Sequence, residues 1–185
     1  KTKISPMGDY AKTKFLGEKY CGEYRQKGLK ISIVRPSVLI GKKRLGIYKV
    51  IFKNLFNHST VRILGDGKNK ISFVNIDDFS EFLVHLVKQK NDIIVNFGGK
   101  VPGTLNFVIN ELKNHVNSKS KIQHVSIRFL SVLRILSKLK IIPVTNWQLS
   151  VMHKDYFYDD KVLLSTGFNY KYEVIDALKE MADYY

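Results

Sequence analysis

The sequence has few of the features that mark secreted, membrane-spanning or low-complexity proteins. Cys21 is the single cysteine, so no internal disulfide can form, and a reducing compartment such as the cytoplasm is expected. No run of about 18 apolar residues occurs, which argues against a membrane-spanning helix. No internal repeat and no linker rich in proline or glycine interrupts the chain. Residues 1–185 are therefore expected to form one unit.

Positive charge dominates the composition. The chain has 31 Lys and Arg against 16 Asp and Glu, a formal net charge of +15 at pH 7. Such an excess attracts nucleic acid, anionic membrane surfaces or phosphorylated small molecules. The basic residues are scattered, however, with no basic arm interleaved with aromatics and no zinc-ligand or helix-turn-helix spacing. This distribution disfavours nucleic-acid binding and a metal site, and it leaves the other two partners open.

Strand-like and helix-like segments alternate along the chain. Short apolar runs predict strands, and apolar residues at i, i+3 and i+4 predict helices with one buried face. The predicted strands are 29–36, 61–64, 71–76 and 92–99, and the predicted helices are 9–27, a segment from Ile47 to Leu55, 77–90, a segment capped by Thr104, and 173–184. Asp77 or Asp78 is expected to cap the helix 77–90. Strands separated by helices favour a parallel sheet covered on its faces.

The segment 125–142 predicts an amphipathic helix with a cationic face. On a helical wheel, one side holds Phe129, Val132, Leu133, Leu136 and Leu139, and the other holds Arg128, Ser131, Arg134, Ser137 and Lys138. A helix of this kind can lie in the interface of an anionic membrane. The favoured interpretation is that it packs on the domain core or on a partner subunit and keeps its charges in water.

Tyr10 and Lys14 are four positions apart in the first predicted helix. Residues with this spacing are separated by about 40° of rotation, so the two side chains project from nearly the same line. An unperturbed tyrosine titrates near ~10, and a cation within about 4–6 Å favours the phenolate and lowers that pKa. Such a tyrosine can exchange a proton with a substrate hydroxyl or carbonyl. The alternative is a solvated lysine beside a half-buried tyrosine, a pair that occurs by chance in many helices.

Five segments in a fixed order are more informative than any of them alone. They are "YAKTKFLGE" (10–18), "VRPSVLIG" (34–41), "ILGDGKNKISFVNIDDFSEFL" (63–83), "IVNFGGKVPGTL" (94–105) and "GFNYKYEVIDALKEM" (167–181). Taken together, they resemble the C-terminal part of the extended short-chain dehydrogenase/reductase family. More narrowly, they are similar to its NAD(P)-dependent epimerase/dehydratase branch, many of whose members act on nucleotide sugars.

The resemblance implies an α/β fold, namely the C-terminal part of a Rossmann-like doubly wound parallel sheet with a small, mostly helical substrate-binding lobe. It implies NAD or NADP as cofactor and a small-molecule substrate, with a nucleotide sugar favoured and a homodimer left open. Tyr10 would be the catalytic acid/base, and Lys14 would hold the nicotinamide ribose and lower the pKa of Tyr10. Pro36, Ser37 and Val38 would border the nicotinamide, which exchanges hydride with a substrate carbon.

Two positions depart from the pattern of the family. Members that bind nucleotide diphosphates commonly have asparagine at the position of Val38 and arginine at the position of Ile71. Neither apolar side chain can donate a hydrogen bond to phosphate, and the adjacent Lys70 would point to the opposite face of a strand. The substrate is therefore a nucleotide sugar held differently, or another alcohol or ketone such as a sterol-like or flavonol-like molecule.

The family's glycine-rich phosphate-binding turn is expected upstream of the Tyr–Lys motif, and residues 1–185 do not contain it. The chain is thus expected to be the C-terminal part of an enzyme and inactive on its own. A second function class is a noncatalytic module that uses its basic surface and segment 125–142 to bind a membrane or a partner.

Overall fold

The computed structural model describes residues 6, 8–46, 48–90 and 92–185. Within these ranges it has eight α-helices, six strands and one 3-10 helix. The strands are β1 (Ile33–Pro36), β2 (Val38–Ile40), β3 (Val61–Leu64), β4 (Phe73–Asn75), β5 (Ile94–Phe97) and β6 (Ile122–Val125). The α-helices are α1 (Gly8–Gln26), α2 (Tyr48–Phe56), α3 (Ile76–Gln89), α4 (Leu105–His115), α5 (Leu130–Lys138), α6 (Asn146–Val151), α7 (Lys161–Leu164) and α8 (Val174–Tyr184), and the 3-10 helix is Ile127–Phe129.

The described strands pair in three parallel sets: β1 with β5, β2 with β4, and β3 with β6. Residues 33–40 form one extended segment that changes partner at Ser37. The Ser37 N–H donates to the Phe97 carbonyl (2.9 Å), which continues the β1–β5 pairing. Its hydroxyl donates to the Ser72 carbonyl (3.1 Å), directly before β4. Parallel pairs require crossover connections, so "GDGKNK" does not close a hairpin between β3 and β4.

Side chains on both faces of the sheet are buried. Phe73 belongs to a cluster with Phe52, Ile109 and Leu178, which come from α2, α4 and α8. The next residue, Val74, belongs to a second cluster with Phe82 of α3. Successive side chains on a strand point to opposite faces, so helices cover both sides of β4. This confirms the predicted α/β class with a doubly wound parallel sheet, and the 3-10 helix, α5 and α6 of residues 127–151 form the mostly helical lobe.

Several predicted boundaries and the predicted cap of α3 differ from those in the structure. The strand predicted at 29–36 is confined to Ile33–Pro36, and Ile47 lies outside the described residues. Asn75, rather than Asp77 or Asp78, caps α3 by accepting the Asp77 N–H (2.7 Å). Asp78 instead turns inward, and its carboxylate accepts the N–H groups of Lys171 (2.9 Å) and Tyr172 (3.4 Å). Burial raises the pKa of Asp78.

Segment 125–142 is also shorter as a helix than predicted. Val125 ends β6, a 3-10 turn follows, and α5 itself covers only Leu130–Lys138. Leu130, Leu133 and Leu136 are half-buried, and α5 packs against α6. Among the residues that the structure describes, no helix combines the length and the apolarity needed to cross a bilayer.

Gly99 is required where β5 leaves the sheet. Its φ is +75°, and a Cβ built on it would lie 1.9 Å from the Phe73 carbonyl oxygen. The close approach allows Phe73 and Lys100 to exchange backbone hydrogen bonds of 2.9 and 3.0 Å. A side chain at position 99 would therefore push the chain away from β4.

We expect Gly99→Ala to destabilise the fold by about 2–4 kcal/mol, because both the backbone angle and the contact become unfavourable. For a chain of this length this lowers the melting temperature by roughly 5–15 °C, measurable by calorimetry. Gly22→Ala is the matched control, since Gly22 is helical and a Cβ added there would have nothing within 4 Å. An equal loss in both variants would contradict the role of Gly99.

Candidate active site

Helix α1 carries the candidate catalytic pair on the surface of the domain. None of the side chains in Gly8–Gln26 is buried, so apolar packing does little to hold the helix. Two ion pairs attach it to the sheet instead. Near its C-terminus, Arg25 contacts the Asp92 carboxylate (2.6 Å) and carbonyl (3.1 Å), at the start of the β5 segment.

The second attachment is a bidentate pair between Glu18 and Arg35 of β1. Arg35 Nε donates to Glu18 Oε1 (2.8 Å), and a terminal nitrogen of its guanidinium donates to the other carboxylate oxygen. The hydrogen bond to Glu18 raises the pKa of Arg35. Two parallel N–H to O bonds fix orientation as well as distance. The pair therefore sets the position of the middle of α1 relative to β1.

Tyr10 and Lys14 lie on one face of α1, as their spacing predicts. The Lys14 ammonium nitrogen lies 5.5 Å from the centroid of the Tyr10 ring. The Tyr10 side chain is 77% exposed. The phenol is therefore accessible to a ligand, and the Lys14 ammonium lies within cation–π distance of the Tyr10 ring.

Two clefts meet at Tyr10. The first cleft, about 810 Å³, is lined by residues that include Tyr10, Lys14, Glu18, Arg35, Asn96 and Tyr158. The second cleft, about 390 Å³, is lined by residues that include Tyr10, Ser37, Val38, Arg44, Ile71 and Tyr156. Tyr10 and Trp147 line both. A group bound in either cleft can thus reach the Tyr10 phenol.

The predicted loop residues are divided between the strands and the second cleft. Ser37 and Val38 line the second cleft beside Tyr10, and Pro36 ends β1 between Arg35 and Ser37. The Ser37 hydroxyl is held in place, because it contacts the Ser72 hydroxyl (2.9 Å) as well as the Ser72 carbonyl. The loop is thereby fixed at the end of β1, where parallel sheets commonly bind ligands.

The two apolar departures, Val38 and Ile71, both line the second cleft. The cationic group in its lining is Arg44, and the amide of Gln148 is a further hydrogen-bond donor. Sequence reasoning missed both. Arg44 belongs to the basic run "GKKRLG", which follows the recognised loop, so its position was the available signal.

Aromatic side chains close the region between the clefts. Trp147 meets Tyr156 edge to face, with ring centroids 6.3 Å apart, and the hydroxyls of Tyr156 and Tyr158 lie 3.0 Å apart. Burial, followed by the hydrogen bond with Tyr158, raises the pKa of Tyr156. Tyr156 therefore stays a neutral phenol at physiological pH and is unsuited to act as a base. Trp147 and Tyr156 were not predicted, since the sequence around them has no recognised motif.

The doubly wound parallel α/β unit, with the Tyr10–Lys14 pair near the end of β1, has a Rossmann-like fold. Residues 1–98 match the model of the NAD dependent epimerase/dehydratase family. The chain belongs to this family, as its motifs predicted.

Similar proteins include enzymes that act on UDP-sugars. The UDP-glucuronate 4-epimerase of Thermodesulfobacterium geofontis is 29% identical over 127 residues, which covers 66% of this chain and 39% of that protein. The solved UDP-glucose 4-epimerase of Thermotoga maritima with UDP-glucose has a TM-score of 0.72 at 17% identity, covering 100% of this chain and 58% of that one. The solved UDP-glucuronic acid 4-epimerase from Bacillus cereus with NAD has a TM-score of 0.73 at 17% identity, covering 98% of this chain and 53% of that one.

The chain is shorter than these similar proteins. It spans from 32% to 39% of the length of the curated relatives it matches. The solved structures, at under 25% identity, support the fold.

We expect Glu18→Gln to loosen α1, because one charge of the bidentate pair is removed and the helix has no buried side chain to compensate. Amide hydrogen exchange within α1 should become about fivefold faster, as a loss of roughly 1 kcal/mol predicts. Arg35→Lys should give an intermediate effect, since the charge stays but the fork is lost.

Lys12→Gln is the matched control. It removes the pair with Asp9 in the same helix, whose side chains are 63% and 98% exposed, so exchange should hardly change. The anchoring role of Glu18 is wrong if the amides of α1 exchange at the wild-type rate in both the Glu18→Gln and the Arg35→Lys variants.

Proposed function

We propose that this chain is the substrate-side part of an enzyme that uses NAD(P) to act on nucleotide sugars as an epimerase, dehydratase or reductase. Tyr10 is the proton donor and acceptor, and Lys14 supports it. The observation that carries the proposal is the position of the pair: the Lys14 ammonium is 5.5 Å from the Tyr10 ring, and Tyr10 lies where two clefts meet. Membership in the NAD dependent epimerase/dehydratase family supports a catalytic role for this geometry.

The first cleft fits the nicotinamide end of a dinucleotide. It offers about 810 Å³, the Lys14 ammonium and the Asn96 side chain, groups suited to ribose hydroxyls. Pro36 would border the nicotinamide from the end of β1, and Ser37 and Val38 would approach it from the second cleft, which meets the first at Tyr10. When bound, the cofactor supplies hydride transfer to or from a substrate carbon.

Side chains of this chain carry out the proton transfer. As a phenolate, Tyr10 takes a proton from a substrate hydroxyl and becomes a phenol; as a phenol, it gives a proton to a carbonyl oxygen and becomes a phenolate. The negative charge that develops on the phenolate is stabilised by the neighbouring Lys14 ammonium, and the attraction strengthens when ligands displace water from the clefts. The Glu18–Arg35 pair holds α1 in place and so keeps Tyr10 at the meeting point of the clefts.

The second cleft supports a nucleotide held in an unusual way. Because Val38 and Ile71 cannot donate to phosphate, Arg44 and Gln148 take that role in the proposal. Trp147 and Tyr156 provide aromatic surface for a base or a sugar ring. The apolar lining also favours a second candidate, a reductase of a non-nucleotide alcohol or ketone.

We expect Tyr10→Phe to lower kcat on UDP-glucose, UDP-glucuronate or UDP-N-acetylglucosamine by about 10²–10⁴-fold, because the proton carrier is lost. NAD(P) binding, followed by nucleotide fluorescence in the full-length protein, should be unchanged. Lys14→Met should weaken both activity and cofactor binding. Lys12→Met, on the same helix, is the matched control and should keep both; retained turnover in the Tyr10 variant would refute the assignment.

We expect Arg44→Gln to weaken UDP binding roughly 10- to 150-fold by calorimetry, since a charge-assisted hydrogen bond to phosphate contributes roughly 1.5–3 kcal/mol. Lys43→Gln is the matched control, because Lys43 is an exposed neighbour outside the cleft lining. If the wild-type protein binds NAD(P) but not UDP, the nucleotide-sugar assignment fails and the non-nucleotide candidate takes its place.

A further inference from the structure

An apolar row on and around α5 is more than half exposed in the described part of the chain. We call Ile127, Phe129, Val132, Ile135, Leu139 and Ile141 the α5 apolar row. Each of these side chains is between 52% and 64% exposed. The adjoining part of the apolar surface, with Leu130, Leu133 and Leu136, is half-buried, and α5 packs against α6.

The width of the apolar surface explains why the row stays uncovered. From Leu130 round to Ile135, apolar side chains extend over roughly 220° of the helix at about 100° per residue. A helix that packs against one neighbour buries a stripe little wider than about 100°. The remaining apolar arc faces solvent, and apolar patches of this kind mark contact surfaces.

The segment that carries the row has charges of one sign. Residues 112–154 contain no Asp or Glu, and the cations among residues 127–141 are Arg128, Arg134, Lys138 and Lys140. Within the described part of the chain, none of these four forms an ion pair; Arg134 donates to the Ser150 hydroxyl (3.1 Å). The positive charge is therefore available to an external anion.

We infer that the α5 apolar row docks onto a bilayer that contains anionic phospholipids, with the surrounding Lys and Arg contacting the headgroups. A bilayer supplies both requirements, an apolar layer for the row and negative charge beside it. A second copy of this chain does not, because two such faces would bring their cations together. This membrane contact goes beyond the proposed catalytic function and does not depend on it.

Co-sedimentation of the full-length protein with vesicles tests the inference. Vesicles of phosphatidylcholine with about 30% phosphatidylglycerol should bind the protein at least tenfold more tightly than pure phosphatidylcholine vesicles. Binding should fall as NaCl rises from about 50 to 500 mM, because headgroup attraction is screened. Equal binding to both vesicle types, or no binding to either, would overturn the inference.

Two variants separate the row from its cations. Ile135→Gln with Leu139→Gln should reduce binding to the anionic vesicles about tenfold or more, and so should Arg134→Gln with Lys138→Gln and Lys140→Gln. The matched controls are Val84→Gln with Val87→Gln, exposed apolar residues on α3, and Lys43→Gln with Lys49→Gln and Lys53→Gln, which remove equal charge elsewhere. Both controls should bind like the wild type.

Sedimentation equilibrium without vesicles measures whether the wild type and the variants self-associate. Circular dichroism and melting temperature verify that each variant is folded. If the Ile135 and Leu139 variant keeps its vesicle binding, the row does not contact the bilayer and the inference is wrong. If vesicles bind neither protein and the variant loses self-association that the wild type shows, the row is a protein interface and the inference is equally wrong.

Discussion

The bidentate pair between Glu18 and Arg35 determines where the candidate catalytic helix sits. A helix in a globular domain is normally held by a buried apolar stripe, and α1 has no buried side chain. Its position relative to the sheet depends on two ion pairs, of which the Glu18–Arg35 pair lies nearer to Tyr10 and Lys14 along the chain. The strand that supplies Arg35 continues into Ser37 and Val38, so one segment anchors the helix and forms part of the second cleft.

The fold could be predicted where the signal is local. Val61–Leu64 was predicted with its observed bounds, and Thr104 caps α4 as expected, by accepting the Phe107 N–H. The inward position of Asp78 could not be predicted, because its carboxylate is held by the N–H groups of Lys171 and Tyr172, 93 and 94 residues away. Strand β6 is a short segment, "IQHV", that gains its identity from pairing with β3. Local pattern cannot supply such information, since it arises from contacts between distant segments.

In the candidate site, too, the features set by local sequence could be predicted and those set by distant contacts could not. Tyr10 and Lys14 are one helical turn apart, so their proximity follows from spacing alone, and the structure places Ser37 and Val38 beside Tyr10. Arg44 lies 103 positions before Trp147 and reaches the second cleft from a distant segment, and no motif connects it with Trp147 and Tyr156. The roles of the predicted site residues stay predictions, whereas membership in the epimerase/dehydratase family is confirmed.

The parallel pairing also determines how the chain must fold. Ile33 pairs with Ile94, Val38 with Phe73 and Val61 with Ile122, so each of these pairs joins segments at least 35 residues apart. Loop closure over such distances precedes any gain from pairing, which makes folding slow compared with a helical bundle of equal size. During synthesis the pairing of β1 with β5 and of β3 with β6 cannot form until residues 94–97 and 122–125 have left the ribosome. In that interval the nascent chain is open to aggregation, and chaperones can be expected to bind it.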